Sequence, residues 1–246
     1  MIQISKLNEE KYNNYGTLMK IVEYTNSNNI IVEFQDEYKF RKKTTYSNFK
    51  AGRVKNPYDK TVFGIGYLGS GTHKSWKNVR GSRDTYLNWV AMLQRCYVDM
   101  GEKYLSYYGI VTVCDEWLNF QNFAEWYENH YYKIPNERLH IDKDIKSKES
   151  KIYSPETCIL IPQSINEVIK ENNRDSKNAD LPATIKRCDN GYKVAFRYEN
   201  LGKYNTIEEC LCVYNEKKLK YIKELVNSYG DLLPNDIKDI ILQWKP

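Results

Sequence analysis

Between Asn136 and Lys170 the hydrophobic pattern changes period twice. Ile141, Asp142, Lys143, Asp144 and Ile145 alternate apolar and charged, which predicts a half-buried strand. The polar run Lys146 to Lys151 predicts a turn, and Cys158 to Ile161 an apolar strand stopped by Pro162. Gln163 to Lys170 then reads as the start of a helix. The rest of the chain is arranged around this strand–turn–strand–helix outline.

Upstream, Thr17 to Tyr24 and Ile30 to Phe34 predict a hairpin across the polar cluster Asn26 to Asn29. A third strand, Tyr38 to Tyr46, follows the turn Asp36-Glu37, and Ser47 caps a short turn ending at Gly52. Residues 1–56 therefore read as a small β-barrel-like, SH3-sized module. Its basic cluster of Arg41, Lys42, Lys43, Lys50, Arg53 and Lys55 is either a solvated edge that resists aggregation or a phosphate-facing patch. Residues 57–85 form a Gly-rich and then basic linker. Gly64, Gly66 and Gly69 match GxGxxG in form, but no helix opens directly after them and no βαβ unit surrounds them. That excludes a dinucleotide fingerprint and leaves glycines that permit close backbone approach or unusual φ. Lys74, Lys77, Arg80 and Arg83 around Trp76 make a basic-aromatic loop suited to phosphates and bases.

A helix to about Tyr97 is capped by Ser82 or Asp84, with Leu87, Val90, Ala91 and Leu93 at helical spacing. Val111 to Val113 is a short strand and Asp115 to Tyr132 a second helix, whose aromatic stripe (Trp117, Phe120, Phe123, Tyr127) reads as a core face. The central region spans 86–172. The polar stretch Glu171 to Asp180 separates it from a last domain, 181–246. There, Ala183 to Cys188, Tyr192 to Tyr198 and Lys203 to Asn205 predict three strands, with Asp189-Asn190-Gly191 turning the first pair. Thr206 and Glu209 form a capping box opening a helix to about Tyr229, and a shorter helix runs from Asn235 to Trp244. The fold class is α+β, in several modules.

Composition narrows the function classes. The chain has 246 residues, a net charge of +5, 22 Tyr and 5 Trp, and a mean hydropathy of −0.72. Such aromatic content excludes a disordered chain, and mild basicity permits nucleic-acid binding. No apolar run approaches a membrane span, and the start lacks the basic-then-apolar pattern of a secretion signal. Six scattered cysteines without a C-x-x-C pair read as reduced, partly core-filling thiols, and their spacing with three histidines is poor for zinc. The expected location is the cytoplasm of a bacterial host, without membrane contact.

Four segments, WVAMLQRCY (Trp89 to Tyr97), VCDEWLNFQNFAEWY (Val113 to Tyr127), HIDKDI (His140 to Ile145) and YSPETCILIPQSIN (Tyr153 to Asn166), resemble a family of bacteriophage proteins labelled HNH endonuclease-like. The stretch from Ile185 to Cys210 resembles an AP2-type DNA-binding module. The first resemblance implies a ββα (HNH-like) domain in which a general base activates water while carboxylate and helix groups hold Mg²⁺ or another divalent cation. On this sequence the implied metal residues are Asp142, Asp144 and Asn166, and the implied catalytic residues are His140, Asp144 and Asn166. The family's base position carries Lys143, Asp144 or Ile145, never His. With Asp144 on the same strand, His140 lies roughly 13 Å away by strand rise. Two readings stay open: a nuclease with a displaced or carboxylate base, and an HNH-shaped DNA binder without cleavage. A plainer reading has Asp142 and Asp144 pairing with Lys143, Lys146 and Arg138 on a solvated strand.

The AP2 resemblance implies a three-stranded sheet in the major groove of double-stranded DNA, contacted by Lys186, Arg187, Lys193, Arg197 and Lys203. Strand alternation puts Lys193 and Arg197 on one face and Val194 and Phe196 on the other. The tryptophan that the AP2 pattern carries between its basic positions is absent. A further reading is a phage factor that binds and inhibits a host defence protein or ribonucleoprotein.

Overall fold

The computed structural model describes residues 6–75, 82–101, 106–147, 150–170 and 181–246, without the side chains of 82 and 83. The chain divides into two compact units, Met1–Tyr127 and Glu128–Pro246. The fold is mixed α+β. Among the described residues it has seven α-helices and several sheets, none closed into a barrel. No helix of those residues is long and apolar enough to cross a membrane.

The first unit opens with strands β1 (Glu10–Tyr12), β2 (Leu18–Asn26), β3 (Asn29–Phe34) and β4 (Arg41–Thr44). They form one antiparallel sheet in the order β1-β2-β3-β4. The barrel-like expectation is corrected: β1 and β4 remain separate edges, so the sheet is an open meander. Alternation in β3 is clean, with Ile30, Val32 and Phe34 buried against Met19, Ile21, Phe49 and Val54. The predicted strand Tyr38 to Tyr46 shortens to β4. Asp36 Oδ1 accepts the N–H of Tyr38 and of Lys39, and Lys39 sits at φ 49, so this segment is a side-chain-closed turn. Helix α1 (Tyr46–Lys50) is capped by Thr45, whose hydroxyl accepts the N–H of Asn48, rather than by Ser47.

Helix α2 (Ser82–Tyr97) buries Trp89, Met92 and Leu93. Beyond β5 (Thr112–Val113), the predicted single helix is two, α3 (Asp115–Leu118) and α4 (Phe120–His130). They break at Asn119, whose backbone is extended. The cause is the Gly-rich connector: Tyr67 N–H donates to the carbonyl of Leu118 at 3.0 Å, and Phe120 N–H to that of Tyr67 at 2.9 Å. A Cβ on Gly69 would collide with the Asn119 side chain, and one on Gly71 with that of Gln121. The aromatic stripe is core, and Trp89 Nε1 donates to the carbonyl of Trp117 at 2.7 Å.

In the second unit β6 (Leu139–Asp142) pairs antiparallel with β8 (Ile159–Pro162), and α5 (Gln163–Lys170) packs on both. Strand β7 (Ile152–Tyr153) lies between them in sequence. Strands β9 (Ile185–Cys188), β10 (Gly191–Phe196) and β11 (Glu199–Tyr204) form a three-stranded antiparallel sheet in the order β11-β10-β9. It lies on α6 (Ile207–Tyr229), where Val194 and Phe196 meet Tyr214. The Thr206–Glu209 capping box is present. After a single 3₁₀ turn comes α7 (Asn235–Gln243). One lysine is fully buried here: Lys218 of α6 donates to the carbonyl of Ile169 in α5 at 2.9 Å, with its ammonium 5.1 Å from the Trp244 ring centroid. All six cysteines are free, and Cys96, Cys158 and Cys210 are buried. Burial pushes the Cys158 thiol up to about 12.

Candidate nucleic-acid interface and the ββα centre

Strand β6 stops at Asp142 because that side chain turns the chain. Its Oδ1 accepts the N–H of Asp144 at 2.8 Å and of Ile145 at 3.0 Å, an Asx-type turn. The expected strand through Ile145 is therefore cut short, and Asp144 leaves the face shared by His140 and Asp142. In the observed register His140 is opposite Ile161 and Asp142 opposite Ile159. Ile159 and Ile161 belong to the core that contains Ile165, Val168 and Ile169 of α5, so this face looks at the helix.

Two polar contacts join β6 to α5 across that face. With the ring proton of His140 on Nε2, Asn166 Nδ2–H donates to His140 Nδ1 at 3.1 Å. One helical turn later, Lys170 Nζ stands 3.6 Å from Asp142 Oδ2. The Asp142 side chain is 1% exposed, so Lys170 supplies the counter-charge that a buried carboxylate requires. Asp144 is half-exposed and paired with Lys143, whose ammonium also donates to the carbonyl of Ser150 at 3.0 Å. Lys146 donates to the carbonyls of Glu156 and Cys158, and among the described residues it is in no ion pair.

The structure thus brings His140 and Asn166 together, with Asp142 on the same face, and leaves Asp144 outside. The donor set does not fit a divalent cation. One Asp142 oxygen is held by backbone N–H groups and the other faces an ammonium. His140 Nδ1 faces an amide N–H. Of the named donors, only Asn166 Oδ1 is buried without a hydrogen-bond partner. Among the described residues no group of three or more His, Cys, Asp or Glu converges to hold a metal. Lys170 was missed from the sequence, although its place four residues after Asn166 puts both on one helical face.

The outer face of the β9–β11 sheet is simpler. Lys193 is paired in register with Lys186 on one side and Lys203 on the other, so three lysines form one cross-strand row. All three are exposed, and among the described residues none is in an ion pair. Strand spacing makes the row about 10 Å long. Like charges directly opposite one another destabilise a sheet by some tenths of a kcal/mol per pair, up to about 1. Arg187 falls in the next row, opposite Tyr192, one step out of phase with the lysines.

Arg197 is corrected: β10 ends at Phe196, and Arg197 begins the turn at φ 54. Its Nη1 donates to the Tyr221 hydroxyl at 2.6 Å, and its guanidinium lies 4.9 Å from that ring centroid. The side chain is spent on α6 instead of extending the lysine face. Tyr198, beside it in the turn, is fully exposed. In the first unit Lys74 is exposed; Trp76, Lys77, Arg80 and the Arg83 side chain lie outside the described residues. Against protein-family models, curated proteins and solved structures, the chain has no match in any of the three comparisons.

Proposed function

We propose that the protein binds double-stranded DNA through the outer face of the β9–β11 sheet and does not cleave it. The observation carrying this reading is the row Lys186–Lys193–Lys203, in no ion pair among the described residues. Three lysines on adjacent strands about 5 Å apart hold like charges together until a polyanion arrives, so the row is poised for a phosphate backbone. The AP2-like order of hairpin, third strand and long helix supports the same reading. With no tryptophan between the basic strand positions, phosphate contact outweighs base readout, so affinity depends more on salt than on sequence.

The non-cleaving half rests on the ββα centre. Where an HNH-like site holds a cation, this chain has Asp142 engaged by two N–H groups and by Lys170. Fluorescence anisotropy of a 25-base-pair duplex tests binding. The wild type is expected to show a log K against log salt slope of roughly −3 from these lysines alone, and changing all three to Gln removes about that much. A variant with unchanged affinity and slope refutes the interface. Supercoiled plasmid with Mg²⁺ or Mn²⁺ tests the other half. No nicking is expected; nicking by wild type that Asn166→Ala or Asp144→Ala abolishes would restore the nuclease reading.

A further inference from the structure

The N-terminal basic cluster divides in the fold. Arg41 pairs with Glu33 at 2.8 Å, and Lys50 with Glu9 at 3.1 Å. Lys42 and Lys55 are in no ion pair among the described residues; they line a pocket of about 430 Å³ inside the first unit. No Asp or Glu is among the described residues that line it. Tyr15 and Phe40 form part of its wall, and Ser70 and Gly71 another part. The N–H groups of Ser70 and Gly71 make no hydrogen bond to any described residue.

The loop that carries those two residues is fixed. Gln121 donates Nε2–H to the carbonyls of Leu68 and His73, at 3.0 and 3.1 Å, and its Oε1 accepts the N–H of His73 at 3.0 Å. One amide therefore clamps both ends of the loop. Gly69 and Gly71 have no room for a side chain against Asn119 and Gln121, so the close approach is built into the sequence. The result is a concavity whose lining combines the cations Lys42, Lys55 and Lys74, the rings of Tyr15 and Phe40, and the backbone of Ser70 and Gly71.

We infer that this pocket binds a phosphorylated small molecule of mononucleotide size, its phosphate toward Lys42 and Lys55 and its ring against Phe40 and Tyr15. The volume suits a small ligand, and a duplex cannot enter such a concavity. The site is separate from the lysine row of the second unit and does not depend on that reading.

Isothermal titration of the full chain with AMP, adenosine and inorganic phosphate tests the inference. AMP is expected to bind at least tenfold tighter than either of the others, and to weaken as salt rises. The double variant Lys42→Gln/Lys55→Gln should lose at least tenfold in AMP affinity while keeping its circular dichroism spectrum, since both lysines are exposed. The triple Gln variant of the sheet lysines should bind AMP like wild type. Adenosine binding as tightly as AMP would remove the phosphate role. Phosphate binding as tightly as AMP would reduce the pocket to an anion site and overturn the nucleotide assignment. Absence of AMP binding overturns the inference outright.

Discussion

Lys170 stands against the buried carboxylate of the ββα unit. Its ammonium sits where a cation would balance Asp142, so the two halves of the pair are not equivalent. Lys170→Met leaves a buried carboxylate with two N–H donors and no counter-charge, at a cost of about 1–3 kcal/mol. Asp142→Asn keeps an acceptor for the turn and leaves a lysine that is 38% exposed and able to hydrate, so it should cost less. Urea denaturation of both variants checks the order; equal losses would mean that the pair contributes nothing beyond the turn. Asp142 itself was legible as a polar strand residue, but its turn-forming role was not. A period-two pattern continues through Asp144 and Ile145, whereas the chain leaves the strand because one carboxylate oxygen captures two backbone N–H groups. Arg197 was misplaced for a related reason: alternation holds only while the strand lasts, and β10 ends one residue earlier.

At the level of elements, local signals served best. The helix after Pro162, the long C-terminal helix with its capping box and the hairpin at Asp189-Asn190 were all readable, because each is set by neighbours in sequence. The break between α3 and α4 was not, because a backbone about fifty residues upstream imposes it. Nor was β1, three exposed residues without an apolar pattern. Gly191 shows how tightly the β9–β10 hairpin is drawn. Its φ is +125, and a Cβ there would run into the carbonyl oxygen of Tyr204. Gly191→Ala should cost about 1–3 kcal/mol. Gly64→Ala has similarly left-handed backbone but open space around it, and should cost only about 1 kcal/mol. Thermal denaturation of the two variants checks the difference; equal shifts in Tm would place the whole cost in φ.

For the whole molecule, charge matters more by placement than by sum. A net charge of +5 over 246 residues is unremarkable, but three lysines in register on one sheet concentrate it, and Lys42, Lys55 and Lys74 around a pocket do so separately. Composition showed the excess of cations; only the strand register showed which of them stand together.

The buried Lys218 carries a consequence for how the second unit opens. One nitrogen on α6 is bound to the end of α5 and faced by the indole that follows α7. Neither neighbour can leave without stripping a buried ammonium of part of its surroundings, so the two helices should breathe together. Native-state hydrogen exchange is then expected to give the amides of α5 and α7 a common opening free energy. Lys218→Met should separate them into two classes; independent exchange already in the wild type would refute the coupling. A segment at 163–170 and one at 235–243, distant in sequence and sharing one core around a buried ammonium, would then behave as one cooperative unit.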